Sequence, residues 1–278
     1  MALDIDPTLE AGLAPAVLSP DPTTRRRFVR YRDATAVAVD EEVITEIRFS
    51  IFVGDKELVS LMCSPWKLRE LVVGFLYIEG FIESPDDIEL LRICLEDRLA
   101  ELVLRERDFV VPARKILTSG CTGGQTFGKY LDELDRFRVS DRPLVRPELL
   151  YQLMRKLYAA AELYKRSGGV HTSILAEGDE ILVVAEDIGR HNTLDKIQGA
   201  CLLEGIRSAG RIILTSGRIS SEMLIKSAVM GAPIVGSRTS PTELAVTLAE
   251  RLNITLIGYI RPGSMNVYTH PWRLAGSD

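Results

Sequence analysis

Arg211-Ile-Ile-Leu-Thr-Ser-Gly-Arg-Ile-Ser-Ser-Glu-Met-Leu-Ile-Lys226 passes from an apolar run, through a turn of small polar residues, into a helical pattern, and its reading decides the fold. The apolar run reads as a strand over 211–215 and the following pattern as a helix over 220–230. The same alternation repeats on either side. Downstream lie a short strand over 233–236, a helix over 242–252 and a strand over 254–260. Upstream, strands over 170–176 and 181–185 are joined by Glu177-Gly-Asp179, and a helix spans 194–204. Before them, Leu149, Leu153, Leu157 and Ala161 recur at helical spacing and predict a helix over 148–165. The order α-β-β-α-β-α-β-α-β predicts an α/β fold, a partly parallel, mixed sheet with helices on its faces.

The first half reads differently. Val37, Val39, Val43, Ile44, Ile47, Phe49, Ile51 and Val53 fall in alternating runs, with Gly54-Asp55 as a hairpin turn, so residues 25–59 read as strands. Ser64-Pro65 reads as the cap and first turn of a helix whose apolar face is Leu68, Leu71, Val72, Phe75, Leu76 and Ile78, ended by Gly80. Residues 88–111 read as a shorter mixed segment. Residues 1 to about 22, with Pro7, Pro15, Pro20 and Pro22, read as a flexible tail. The division expected is a tail over 1–24, a β-rich α+β subdomain over 25–140 and an α/β subdomain over 141–278.

Hydrophobic residues make up 46% and charged residues 26%, as in an ordinary globular protein. A net charge of −5 and a pI near 5.5 argue against general nucleic-acid binding. No apolar stretch is long enough for a membrane helix, and the N-terminus does not read as a secretory signal. Cys63, Cys94, Cys121 and Cys201 form no CxxC pair and no zinc spacing, which points to a reducing cytosol and no metal site. GxGxxG after a strand, GxxxxGK[ST], HExxH, GxSxG and the deaminase zinc motif are all absent.

Chemistry gathers in two places. In Thr118-Ser-Gly-Cys-Thr-Gly-Gly-Gln-Thr126, Cys121 sits among glycines and hydroxyl residues rather than in a core pattern. Such a loop leaves backbone N–H groups free to face a thiolate; an ordinary glycine-rich turn is the alternative reading. Elsewhere, four polar clusters fall at strand ends: Ser167-Gly-Gly-Val-His171, Glu186-Asp-Ile-Gly-Arg-His-Asn-Thr-Leu-Asp-Lys196, Thr215-Ser-Gly-Arg-Ile-Ser-Ser-Glu222 and Gly236-Ser-Arg-Thr-Ser240. Strand ends are where open sheets bind ligands, and helix N-termini there offer N–H groups to anions. Arg190, Arg218 and Arg238 would supply forked donors to a phosphate or a guanine carbonyl. Each cluster alone also reads as helix capping, Glu186 and Asp187 as neutralising Arg190, and His171 as a packed histidine. Arg261-Pro-Gly263 fixes a further tight turn after the last strand.

Taken together, Gly168-Gly-Val-His171, the string from Glu186 to Lys196, Ser216-Gly-Arg-Ile-Ser-Ser-Glu-Met223 and Arg261-Pro-Gly-Ser-Met-Asn-Val-Tyr-Thr269 resemble the formate dehydrogenase accessory sulfurtransferase family, FdhD. The resemblance covers most of the chain from about residue 30 onward. It implies a cytoplasmic homodimer with a cytidine-deaminase-like fold lacking zinc. It also implies a sulfurtransferase that takes persulfide sulfur from a cysteine desulfurase onto Cys121. The sulfur would pass to the molybdenum (or tungsten) bis-molybdopterin guanine dinucleotide cofactor destined for the formate dehydrogenase apoenzyme. On this reading Gly189, Arg190, Ser216, Gly217, Arg218, Ser237, Arg238 and Thr239 hold the cofactor, and Tyr259, Ile260, Arg261, Pro262, Gly263, Ser264 and Asn266 complete the wall. His171 and His191 would handle protons. The chain departs from the family at Gly124, where a second loop cysteine is common. That leaves a cofactor-binding chaperone without sulfur transfer as the alternative, and a cysteine hydrolase with Cys121 as nucleophile and His191 as base as a more distant one.

Overall fold

In this computed structural model the described residues are 21–105, 116–117, 125–126, 131–140 and 143–276. Strands β1 (Thr23–Arg32) and β2 (Thr35–Ile44) form a two-stranded ribbon. Strands β3 (Ile47–Val53), β4 (Lys56–Cys63), β5 (Ile88–Cys94) and β6 (Leu99–Leu104) make a four-stranded sheet in the order β4-β3-β6-β5, with helix α1 (Leu68–Ile78) packed on it. Only the β3–β6 pair in that sheet is parallel. The two-residue strands β7 (Ile116–Leu117) and β8 (Gln125–Thr126) pair antiparallel. Cys121, midway between them in sequence, lies outside the described residues, as do residues 1–20.

Helices α2 (Pro147–Ala160) and α3 (Glu162–Ser167) lead into a six-stranded sheet. Its strands are β9 (His171–Glu177), β10 (Glu180–Asp187), β11 (Ile212–Thr215), β12 (Ile234–Ser237), β13 (Thr255–Arg261) and β14 (Ser264–Val267), in the order β10-β9-β11-β12-β13-β14. β11, β12 and β13 are parallel, while β9 and β14 run against their neighbours, so the expected mixed sheet is observed. Helices α4 (Arg190–Glu204), α5 (Ser221–Val229) and α6 (Glu243–Leu252) alternate with the strands.

Strand periodicity divides the buried side chains between the two faces. Ile174, Ala176, Ile212, Leu214 and Ile234 meet Leu150, Leu153, Met154 and Leu157 of α2. Their sequence neighbours Leu175, Ile213 and Val235 meet α4, α5 and α6 on the other side. Helices therefore cover both faces. Each fully buried leucine or isoleucine removes enough apolar surface to stabilise the fold by about 1.5–3 kcal/mol before chain entropy is counted.

Helix α4 is unusual in being buried almost all round: Arg190 and every residue from Asn192 to Cys201 lack substantial exposure. One side lies on the six-stranded sheet and the other on α1, which carries the four-stranded sheet. The crossing is close because it is made at glycines. A Cβ on Gly74 would stand 1.8 Å from the Asp195 carbonyl oxygen, and one on Gly199 would stand 1.9 Å from that of Glu70.

Three local expectations are corrected. Ser64 does not cap α1, whose N-cap is Lys67 in a left-handed conformation without a side-chain bond. The Ser64 N–H and hydroxyl donate instead to the Asp187 carboxylate at 3.1 and 3.0 Å. The helix expected over 148–165 is two helices, divided at Ala161, because Glu186 accepts from the Leu163 and Tyr164 N–H groups at 2.8 and 3.0 Å and so caps α3 separately. The helix expected from 194 begins at Arg190, so the polar string forms its first turns.

Candidate functional site

The clusters read at strand ends occupy one edge of the six-stranded sheet. Asp187, ending β10, pairs with His171, opening β9; Thr215, ending β11, pairs with both Ser173 and Ser237. The turns carrying Gly189 and Arg190, Ser216 to Arg218, and Ser237 to Thr239 therefore leave the same end of the sheet, the last two from the neighbours β11 and β12 and the first from β10, across the start of β9. The middle turn is wedged against the first: a Cβ on Gly217 would lie 3.0 Å from His171 Nδ1 and 3.3 Å from Arg190 Cβ. Its other side is stitched to the third turn, for the Ser237 hydroxyl donates to the Gly217 carbonyl at 2.6 Å and Arg238 N–H donates to the Thr215 carbonyl at 3.3 Å. The Tyr259 N–H, donating to the Thr239 carbonyl at 3.1 Å, ties in the β13–β14 hairpin. Tyr259 adopts φ +54° there, beside the register shift between Gly258 and Arg261. A non-glycine residue in this region is sterically costly, so the bulge is held by its surroundings.

These contacts sort the residues by role. The hydroxyls are scaffold: Ser216 Oγ accepts from Thr172 N–H at 3.0 Å, and Ser237 Oγ accepts from Thr239 N–H at 3.0 Å. Ser173 Oγ lies 2.6 Å from Thr193 Oγ1 and 2.9 Å from Thr215 Oγ1, extending the ladder inward. The side chain of Ile260 is fully buried in the α2 core. Arg218 and Arg238 are exposed, as are Tyr259, Arg261, Pro262, Gly263, Ser264 and Asn266. Arg238 lies over the ring of Tyr158 in α2, 5.5 Å from its centroid, within cation–π range. Sequence reasoning missed Tyr158, because nothing local connects it to a turn 80 residues further along the chain.

Much of the specific string from Glu186 to Lys196 is structural. Asp187 and Lys196 form a fully buried ion pair at 2.6 Å. Asp187 also accepts from Gly189 N–H and Asn192 Nδ2 at 2.8 Å each, beside the Ser64 donors. Lys196 Nζ donates to Ser64 Oγ at 3.1 Å and to the Glu186 carbonyl at 3.2 Å, and Asn192 Nδ2 donates to the Met62 carbonyl at 2.9 Å. The string thus bolts the end of β4 to the start of α4. Asp195, also buried, pairs with Lys226 of α5. Burial pushes the Asp195 carboxyl up to about 6 although the Lys226 ammonium pulls it the other way.

His191 is held inside the edge by Ser220 Oγ and Glu222 Oε2, each 3.1 Å from Nε2. Burial, reinforced by Arg190, Lys226 and His171, pushes its pKa down to about 3. We therefore read the Glu222 contact as a hydrogen bond donated by a neutral ring, not an ion pair. His171 is also pushed down, first by burial and then by Arg190, with Asp187 partly opposing. Since unfolded His191 regains an ordinary pKa near 6.5, the unfolded chain binds the extra proton between about 6.5 and 3. His191 thus makes the fold lose stability as pH falls through that window. Asp195 acts in the opposite sense, its folded form binding the extra proton between 3.8 and about 6. The His191 ring resonances should accordingly show no titration between about pH 8 and 5, whereas an inflection near 6.5 would mean the ring is solvated.

Cys63 and Cys201 are buried, and burial raises both thiols, Cys201 to about 12 and Cys63 further. Neither forms a thiolate readily. Cys94 donates from Sγ to Asp97 Oδ2 at 3.1 Å. Among the described residues no group of three or more His, Cys, Asp and Glu is placed to hold a metal ion, and no helix is long and apolar enough to cross a membrane.

A family model described as the FdhD/NarQ family matches residues 44–275. The chain belongs to the FdhD/NarQ family. Among FdhD relatives, the sulfur carrier protein FdhD of Bacillus licheniformis is 38% identical over 258 residues, covering 91% of this chain and 97% of that protein. The sulfur carrier protein FdhD of Staphylococcus aureus is 34% identical over 264 residues, covering 94% of this chain and all of that one. The crystal structure of a protein assigned as a formate dehydrogenase accessory protein, from Desulfotalea psychrophila, superposes with a TM-score of 0.72 at 27% identity, covering 91% of this chain and 99% of its own.

Proposed function

We propose that the chain is a sulfur carrier serving formate dehydrogenase, with Cys121 as the carrying thiol. The observation that supports this most is the 34–38% identity, over nearly the whole chain, to proteins named as sulfur carriers. Two buried, raised thiols at Cys63 and Cys201 favour Cys121 further. In the proposed cycle the Cys121 thiolate attacks the outer sulfur of a cysteine desulfurase persulfide. A sulfur–sulfur bond forms to Cys121 as the desulfurase bond breaks, and the desulfurase thiolate departs with the electron pair. No net oxidation accompanies this exchange.

The receiving substrate in this reading is the molybdenum (or tungsten) bis-molybdopterin guanine dinucleotide. The sheet edge suits its anionic, guanine-bearing ends. Arg218 and Arg238 offer exposed guanidinium forks, and Gly189 opens α4 without a side-chain cap to block its N–H groups. Gly217 leaves the space that a Cβ would fill against His171 and Arg190. These residues would bind and orient the substrate; sulfur would arrive on Cys121. His171 and His191, both held neutral by burial, are suited to accept or hold a hydrogen bond rather than to supply charge.

Incubation with an active cysteine desulfurase and cysteine, followed by mass spectrometry, tests the carrier step. One reducible extra sulfur is expected on Cys121, absent from Cys121→Ser and from the peptides holding Cys63 and Cys201. Gly124, where family members commonly carry a second thiol, favours one other reading, a chaperone that binds the cofactor without moving sulfur. An unlabelled Cys121, together with a Cys121→Ser variant that still supports formate dehydrogenase maturation, would establish that reading instead.

A further inference from the structure

The β1–β2 ribbon stands apart from both cores. Its base is fastened by Arg166 of α3, which binds Asp21 and Glu42 at 2.9 and 2.6 Å, but from Arg25 to Ala38 no residue on either strand is buried. Tyr31 is 73% exposed, Val29 57%, Val37 51% and Phe28 38%. Exposure on both faces rules out an ordinary sheet covered on one side. A two-stranded hairpin is marginal in water on its own, and a long apolar edge normally needs a cover or a charge. Beyond β2, β1 faces no other strand among the described residues.

What would cover that edge follows from its sequence. Arg25, Arg26, Arg27, Arg30 and Arg32 occupy half of β1 and flank the apolar Phe28, Val29 and Tyr31. Arg30 is engaged by Glu41 and Arg25 by Asp40, whereas among the described residues Arg26 and Arg27 form no ion pair. A second copy of β1 is a poor partner, because every antiparallel register overlapping most of the strand sets an arginine opposite an arginine. Nucleic acid is disfavoured too: Glu42, Glu41 and Asp40 lie directly across from Arg25, Arg26 and Arg27 in register. The arginines thus guard against self-association while leaving an acidic strand welcome.

We infer that the free edge of β1 docks an extended segment of a partner protein, one that alternates carboxylates with apolar residues and adds as a third strand of the ribbon. Main-chain hydrogen bonds would fix the segment, with its carboxylates all on one face. In one register they would meet Arg26, with the apolar residues beside Val29 and Tyr31; in the other they would meet Arg27, with the apolar residues beside Phe28. This surface is independent of the proposed sulfur chemistry.

The probe is a fluorescein-labelled synthetic peptide of alternating glutamate and valine, titrated by anisotropy against the full chain at low salt. Saturable binding is expected, with none for the lysine–valine counterpart. The double variant Arg26→Gln, Arg27→Gln should bind several-fold more weakly, as expected for removing exposed charge from either face, with an unchanged melting temperature. Independently of any variant, methylating every peptide nitrogen, so that neither edge of the peptide can donate, should abolish binding. Equal binding of the methylated peptide, or no binding of the parent peptide, would overturn the inference. So would preferential binding of a single-stranded oligonucleotide, or a dimer seen by light scattering that Tyr31→Glu dissociates.

Discussion

Gly199→Ala should lower the stability of the fold by about 3 kcal/mol or more, with Gly74→Ala close behind. The added methyl has nowhere to go. At 1.9 Å from the Glu70 carbonyl oxygen it meets backbone, so no rotamer change relieves the clash and α1 must move away from α4. Moving α1 opens Leu71, Phe75 and Ile78 on one helix and Leu194 and Ile197 on the other, turning a local clash into lost burial. For a chain of this size the melting temperature should fall by about 6–12 °C. Gly178→Asn is the control: its φ is +55°, nothing lies within 4 Å of the added Cβ, and asparagine tolerates that conformation. A Gly199→Ala melt within about 2 °C of the parent would show that the helices do not cross this closely.

The second large effect is an asymmetry. Asp187→Ala should cost about 3–5 kcal/mol, and Lys196→Met clearly less. Both side chains are fully buried, so removing either strands the other, but the two are left in different company. Without Lys196, the Asp187 carboxylate still accepts from the Ser64 N–H and hydroxyl, Gly189 N–H and Asn192 Nδ2. Without Asp187, the ammonium of Lys196 keeps only a hydroxyl and neutral carbonyls. Methionine also fills most of the volume lysine leaves. Urea unfolding of the two variants measures the difference; equal losses would mean the carboxylate's other donors contribute nothing.

The second half was largely legible because its signals are local. Ile212 to Leu214, Ile234 and Val235, and Leu256 and Ile257 are apolar runs, and the helices after them open at Ser220 and Thr242, whose side chains do cap. What escaped is what depends on distant partners. Helix α4 starts with a polar string and a glycine N-cap, so neither periodicity nor capping marks its beginning. Ser64 reads as a cap until its true acceptor, Asp187, arrives from more than a hundred residues away. The break at Ala161 is made by Glu186, which no helix rule within 148–165 contains. At the site, the sequence located the sheet edge and the exposed arginines, but not that Ser216 and Ser237 spend hydrogen bonds on holding the turns together.

Because α4 is sealed between the two sheets, neither sheet has a finished surface of its own. Parting them would expose Lys196, Asp187 and Asp195 on one side and a bare apolar helix face, Leu71 to Ile78, on the other. Calorimetry should therefore record one cooperative transition rather than two, and the amides of α4 should exchange with solvent only when the whole molecule opens.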